Sequence, residues 1–248
     1  MDLNLEIKNI TEWKAILSAI SNLSDEAMFL CNDDGITFRG MDKAHLAYLS
    51  VNIPKTSFEV YEFKTSFFVL PIKEFKNLFD SAENDSIVKL QIENENHITI
   101  LIQSDFETRF EQKLIAKEFG NISVPKIDSK SKFVLNPSIL IKIIEDLQKI
   151  SKIVTISTST NYVKFHGVGD GGKCKIELES GVSGLEQLEI IENSSASYSL
   201  EYLDNISQSL TKISKKLNLE FGTGIPLHIS FELENKITAE YFLPPRMD

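Results

Sequence analysis

The chain reads as one arrangement written twice. Over residues 10–21 the apolar side chains fall at Trp13, Ile16, Leu17 and Ile20, the spacing of a single helix face, with Thr11 as the expected N-cap. Roughly 127 positions later the same face returns in Leu140, Ile143, Ile144 and Leu147. Asn136-Pro137-Ser138 opens this second helix, with proline in the first turn, where its missing N–H does no harm. Each helix is followed by an apolar strand, a polar turn and a second strand that closes on Phe-x-Gly. In the first half these are residues 27–31, 32–35 and 36–40; in the second they are 153–157, 159–161 and 162–167. Phe38 and Gly40 thus correspond to Phe165 and Gly167, and Asp33-Asp34-Gly35 between apolar runs is a hairpin signal.

Both halves continue in parallel. Further helices are predicted over 71–82, with Ile72, Phe75, Leu78 and Phe79 on one face, and over 199–210, with Leu200, Tyr202, Leu203 and Ile206. Closing strands are predicted over 87–92, 97–102, 106–115, 217–221, 227–233 and 237–243. The fold class is α+β: two similar domains, each with two helices packed on antiparallel sheets. The expected division is 1–116, a linker over 117–131 and 132–248, because the stretch from Ala116 to Ser131 holds Gly120, Pro125 and the polar run Asp128-Ser129-Lys130-Ser131.

Composition narrows the function. With 248 residues, 25% charged and 42% hydrophobic, the chain can bury a sizeable core. A net charge of −10 opposes a surface that binds nucleic acid all over, since phosphate attraction needs Lys and Arg, but it allows a locally basic one. Cys31 and Cys174 stand singly in strand-like runs, which indicates neither a disulfide framework nor a zinc site and suits a reducing compartment. No run approaches the length of a membrane span, and residues 1–6 lack the pattern of a signal peptide, so a cytoplasmic protein is expected.

The residues offer no catalytic constellation. His45, His97, His166 and His228 are scattered, without metal-site spacing. Gly167-Val168-Gly169-Asp170-Gly171-Gly172 precedes a strand rather than a helix, so a hairpin turn is the expectation there, not a phosphate cradle. Glu93-Asn94-Glu95 and Asp33-Asp34 fall in predicted turns and read as solvated charge. No metal, no cofactor and no enzymatic activity are expected, and a binding or structural role is favoured.

Four segments then carry a resemblance that spans the chain. Gly40-Met41-Asp42-Lys43-Ala44-His45-Leu46 resembles the Met-Asp-x-x-His segment of eukaryotic and archaeal DNA sliding clamps of the proliferating cell nuclear antigen family. Tyr198-Ser199-Leu200-Glu201-Tyr202-Leu203 resembles the start of their second-half helix, and Gly224-Ile225-Pro226-Leu227 their Pro-Leu strand start. Residues 241–248, Tyr-Phe-Leu-Pro-Pro-Arg-Met-Asp, are similar to their Tyr-Leu-Ala-Pro-Arg/Lys tail, with Pro244 in place of the usual Ala. The short tail, without a long acidic extension, looks archaeal.

The resemblance implies a closed ring of three subunits, homotrimeric or heterotrimeric with paralogues, that encircles duplex DNA without reading its sequence. It implies a processivity factor for DNA polymerase that also engages flap endonuclease, DNA ligase and a clamp loader, nucleoid-associated in an archaeal cell. Subunits would join head to tail through residues 106–115 and 173–179, with Leu78, Phe110, Gln112, Ile143, Lys175 and Glu177 at the seam. Lys14, Lys73, Lys76, Lys142, Lys149 and Lys212 would face DNA, in a bore made less basic by Asp80, Glu145, Glu201 and Gln208. Partner peptides with a Gln and two aromatics would dock on Met41, His45, Leu46, Ile122, Val124, Pro125, Pro226, Phe242, Leu243, Pro244 and Pro245. The alternative is a checkpoint-type or other clamp-like scaffold that does not act in replication; a hydrolase with an unrecognised site is more remote.

Overall fold

In the computed structural model, residues 2–94, 96–117, 120, 122–181 and 184–246 are described. Glu95 of the acidic turn, residues 118, 119 and 121 of the expected linker and Met247-Asp248 of the tail lie outside the described residues. The chain forms two compact units, residues 1–43, 49–123 and 233–239 in the first and 44–48, 124–232 and 240–248 in the second.

The first unit runs β1 (Leu3–Ile7), α1 (Ile10–Leu23), β2 (Glu26–Asn32), β3 (Gly35–Met41), β4 (Tyr48–Pro54), β5 (Phe58–Phe63), β6 (Phe67–Pro71), α2 (Ile72–Phe79), β7 (Ile87–Asn94), β8 (His97–Gln103) and β9 (Glu107–Lys113). Five strands make an antiparallel sheet in the order β5-β1-β7-β8-β9, and β2 pairs with both β3 and β6. The predicted α1 face is the buried one, and Trp13 meets the Phe58 edge at 5.8 Å and stacks near Phe79 of α2 at 6.1 Å. The N-cap is Asn9, not Thr11: its side chain accepts from the Glu12 N–H, and the helix therefore starts one residue before the expected cap. Thr11 instead bonds Asn84 from within the first turn. Glu93 extends β7 rather than lying in a turn.

The second unit runs β10 (Ser131–Leu135), α3 (Pro137–Gln148), β11 (Ile153–Ser159), β12 (Tyr162–Gly169), β13 (Gly172–Glu179), β14 (Leu185–Ile190), β15 (Ser195–Ser199), α4 (Leu200–Ile206), β16 (Lys216–Gly222), β17 (Ile225–Glu232) and β18 (Thr238–Leu243), whose last four residues belong to it. Its sheets are ordered β14-β10-β16-β17 and β13-β12-β11-β15. A buried hydroxyl cluster ties them: Ser131 Oγ lies 2.7 Å from Thr158 Oγ1 and 3.2 Å from Ser194 Oγ. Each buried oxygen thus has a partner, without which it would cost about 1–3 kcal/mol.

The repeated Phe-x-Gly has a packing reason in each half. A Cβ on Gly40 would lie 2.5 Å from the Phe38 ring, and one on Gly167 would lie 2.9 Å from Ser151 Cβ, so neither position has room for a side chain. The helix predicted over 199–210 departs from a uniform α-helix. After Ile206 it widens into a π-helical turn, Ser207–Thr211, in which Ser207 Oγ donates to the Asp204 carbonyl and Ser209 Oγ to the Ile206 carbonyl. These hydroxyls bond carbonyls at the widened turn.

Candidate functional site

The second unit assembles most of the residues expected to receive a partner peptide. His45 and Leu46 lie in the 44–48 segment that packs with it, and Val124, Pro125, Pro226, Phe242, Leu243, Pro244 and Pro245 belong to it as well. Met41, at the end of β3, and Ile122 belong to the first unit. The loop turns back at His45, a non-glycine residue at φ 54, and this presents Leu46 at 47% exposure. An exposed leucine and, in the same unit, half-buried Val124, Pro125, Pro226, Pro244 and Pro245 are of the chemistry an apolar docking patch needs. Phe242 and Leu243, also expected among the docking residues, are buried. They are 4% and 2% exposed, part of the core at the end of β18.

Two residues that pack on Phe242 carried no signal in the sequence. The Phe242 ring stacks on His228 at 4.2 Å and nearly parallel, and Tyr48 meets it edge-on at 5.7 Å. Burial lowers the His228 pKa, and its Nε2 lies 3.2 Å from Ser230 Oγ. An alternating apolar pattern would have found neither, because the pairing is between strands. The Tyr198 hydroxyl donates to the Ile225 carbonyl at 3.0 Å, and burial raises its pKa. The Arg246 N–H donates to the Ser197 carbonyl at 2.8 Å and fixes the tail on β15.

Of the six lysines expected to face DNA, Lys14, Lys73, Lys76 and Lys142 lie on helices and Lys149 and Lys212 directly follow one, but most are already engaged. Lys14 donates to the carbonyls of Asp80 and Ala82 at 3.1 and 2.6 Å, and Lys76 pairs with the Asp80 carboxylate one turn on. Lys73 bonds Asp25 at 2.7 Å, and Lys43 bonds the same carboxylate; these two ammonium groups hold the Asp25 pKa at about 2. Lys149 pairs with Asp146 at 2.6 Å, which raises the lysine pKa and lowers that of the acid. Lys142 and Lys212 are exposed and make no ion pair among the described residues. Of the acids expected to dilute this surface, Asp80 is thus a partner of two of its lysines, and Glu145 and Glu201 are exposed on α3 and α4.

The expected seam strands are both edges. β9 has a ladder partner only in β8, and β13 only in β12, among the described residues. Phe110 is half-buried, Leu78 half-buried, and Lys175 and Glu177 are exposed and paired with each other at 2.7 Å. Gln112 is 9% exposed and donates to the Pro71 carbonyl. Ile143 does not suit a seam: it is 3% exposed because it lies on the core-facing stripe of α3 with Leu140, Ile144 and Leu147. The void that Ile143 helps to line is only about 10 Å³, about the room of one water and too little for a ligand. Among the described residues no three His, Cys, Asp or Glu side chains converge to hold a metal ion, and no helix is long and apolar enough to cross a membrane.

Residues 2–121 match the family model for the proliferating cell nuclear antigen, N-terminal domain, and residues 123–246 that for the C-terminal domain. The chain is similar to the protein called DNA polymerase sliding clamp of Nitrosopumilus maritimus, with 33% identity over 238 residues covering 96% of this chain and 95% of the relative. It is 32% identical to the sliding clamp of Cenarchaeum symbiosum, covering 95% of each. Its fold is that of the crystal structure of PCNA from Thermococcus kodakaraensis, at TM-score 0.92 and 21% identity, covering 98% of this chain and 100% of that one. The Entamoeba histolytica homologue superposes at TM-score 0.90 with 19% identity, covering 99% of each.

Proposed function

The chain belongs to the proliferating cell nuclear antigen family, and on that premise we propose that it is one subunit of a DNA sliding clamp, a non-catalytic processivity factor for DNA polymerase. The observation that carries this reading is that both strands expected at the seam end a sheet among the described residues, β9 in the first unit and β13 in the second. Two different edges on one chain suit a head-to-tail contact, and a head-to-tail contact that closes makes a ring. Three subunits would then place helix lysines around duplex DNA, with Lys142 and Lys212 as its principal phosphate contacts. Binding by phosphate attraction carries no sequence information and leaves the ring able to slide.

The exposed Leu46 and the half-buried residues expected with it would receive the aromatic anchors of partner peptides, with the backbone near Val124-Pro125 pairing the extended part. Polymerase, flap endonuclease, ligase and clamp loader are the partners proposed from the family, in the cytoplasm and at the nucleoid. No observation favours the scaffold alternative, and the relatives' names speak for the polymerase clamp.

The test is topological. Loaded on nicked circular DNA, the protein should remain bound in high salt and leave when the circle is linearised; release that ignores linearisation overturns the reading. Light scattering should report about three times the chain mass, alone or with paralogous subunits.

A further inference from the structure

The charges of β9 reverse sign about its midpoint. Along Glu107-Thr108-Arg109-Phe110-Glu111-Gln112-Lys113 the exposed face carries minus, plus, minus, plus, and the opposite face carries Thr108, Phe110 and Gln112. Antiparallel pairing with a second copy of β9, centred on Phe110, sets Glu107 against Lys113 of the second copy and Arg109 against its Glu111, and by symmetry the reverse. Every charged cross-strand pair is then attractive, and the two Phe110 rings face each other. Within one chain Arg109 and Glu111 already pair at 3.3 Å along the strand.

The head-to-tail seam has no such match. With Phe110 opposite Ile176 of β13, Arg109 meets Glu177 and Glu111 meets Lys175, but Glu107 meets Glu179 and Lys113 meets Lys173. A shift of two residues either way leaves one attractive pair and two repulsive ones. Opposite charges directly across a strand pair stabilise it and like charges destabilise it. β13 shows the same reversal about Ile176, but β9 adds an aromatic pair at its centre.

We propose that the open β9 edge pairs with β9 of a second copy of this chain across a two-fold axis, forming a dimer that competes with ring closure. An edge strand with one free ladder side is a template for another chain, and a two-fold contact needs only that the edge match itself. The comparison with the seam rests on the ring reading above; the two-fold pairing does not.

Sedimentation velocity over a dilution series in low salt tests it on the whole chain. The parent should show a species of twice the chain mass that weakens as salt is added. Glu107→Lys turns both outer pairs of the dimer into Lys–Lys while improving the ring seam, where the introduced ammonium group would face Glu179. The dimer dissociation constant should therefore rise on the order of tenfold or more and the share of trimer should grow. Adding Lys113→Glu restores attraction within the dimer and should bring its dissociation constant back to the parent's. A parent with no such species, a dimer indifferent to Glu107→Lys, or one not restored by the double exchange overturns the proposal. A parent that forms only trimers sinks the two-fold pairing and leaves the ring; a dimer that follows the charges with no trimer under any condition does the opposite.

Discussion

The side-chain amide of Asn235 donates to the Glu12 carboxylate at 2.9 Å, a bond across 223 positions of sequence. Glu12 is 3% exposed in the first turn of α1, and Asn235 holds φ 51 in the turn after residue 233, where its carbonyl also accepts from Ser57 Oγ. A returning segment of the second half of the chain is thereby fastened into the first unit, to which residues 233–239 belong. A carboxylate this buried depends on donors of this kind.

Removing that donor separates the bond from the backbone. Asn235→Gly keeps the left-handed conformation and loses the amide, and should destabilise by about 1–3 kcal/mol. Asn235→Ala adds the strain of a Cβ at positive φ and should cost about 1 kcal/mol more. Urea midpoints of the two variants and the parent test this order; coincident midpoints would assign the contact no weight.

The peptide surface should fail without the fold failing. Leu46→Asp and Val124→Asp place charge on exposed or half-buried positions and should each weaken a Gln-x-x-Ile-x-x-Phe-Phe peptide by about 2 kcal/mol or more, beyond tenfold in affinity. Calorimetry reads the binding, and circular dichroism and mass read the fold and assembly. Parent-like binding in both variants would remove the site from this face.

Among the lysines, those without an internal partner should dominate DNA contact. Losing Lys142 and Lys212 together to alanine should flatten the dependence of binding on salt by roughly 0.9 in slope for each phosphate contact removed. Lys14→Ala should leave the slope nearly unchanged, because its ammonium group already serves the carbonyls of Asp80 and Ala82. Equal slopes for both variants would reject this division. The triple reversal of Lys14, Lys76 and Lys142 to Glu should weaken retention chiefly through Lys142.

His228 gives stability a pH dependence of known sign. Burial lowers its pKa from 6.5, so the unfolded chain binds that proton first as pH falls. The stabilisation is complete above about 6.5, is lost progressively below it, and levels off beneath the folded-state pKa. His228→Gln should lower stability overall but flatten the fall in urea midpoint between about pH 7 and about pH 5. An unflattened curve would place that dependence elsewhere.

What was legible in the sequence was what depends on local period. The stripe Trp13, Ile16, Leu17 and Ile20, its repeat in α3 and the Asp33-Asp34-Gly35 turn all report neighbours along the chain, and all were found. Asn9 rather than Thr11 as cap is a choice between two residues of similar capping chemistry close together in the chain. The engagement of Lys73 by Asp25, the burial of Phe242 and its stacking on His228 are set by chain segments that only the fold brings together. Ile143 received two readings: its period placed it on the core stripe, where it is 3% exposed, and the resemblance implied a seam.

The widened turn at Ser207–Thr211 changes the phase of everything after it. A helical wheel drawn through residues 199–212 assumes a constant angular step, and one residue absorbed in a π turn offsets that wheel by roughly 100°. The direction in which Lys212 points is thus inherited from the three hydroxyl-bearing residues Ser207, Ser209 and Thr211 that occupy the turn, not from the start of α4. A relative without this turn, aligned column by column across the stretch, would place a different side chain at a given azimuth unless the extra residue were counted as a gap.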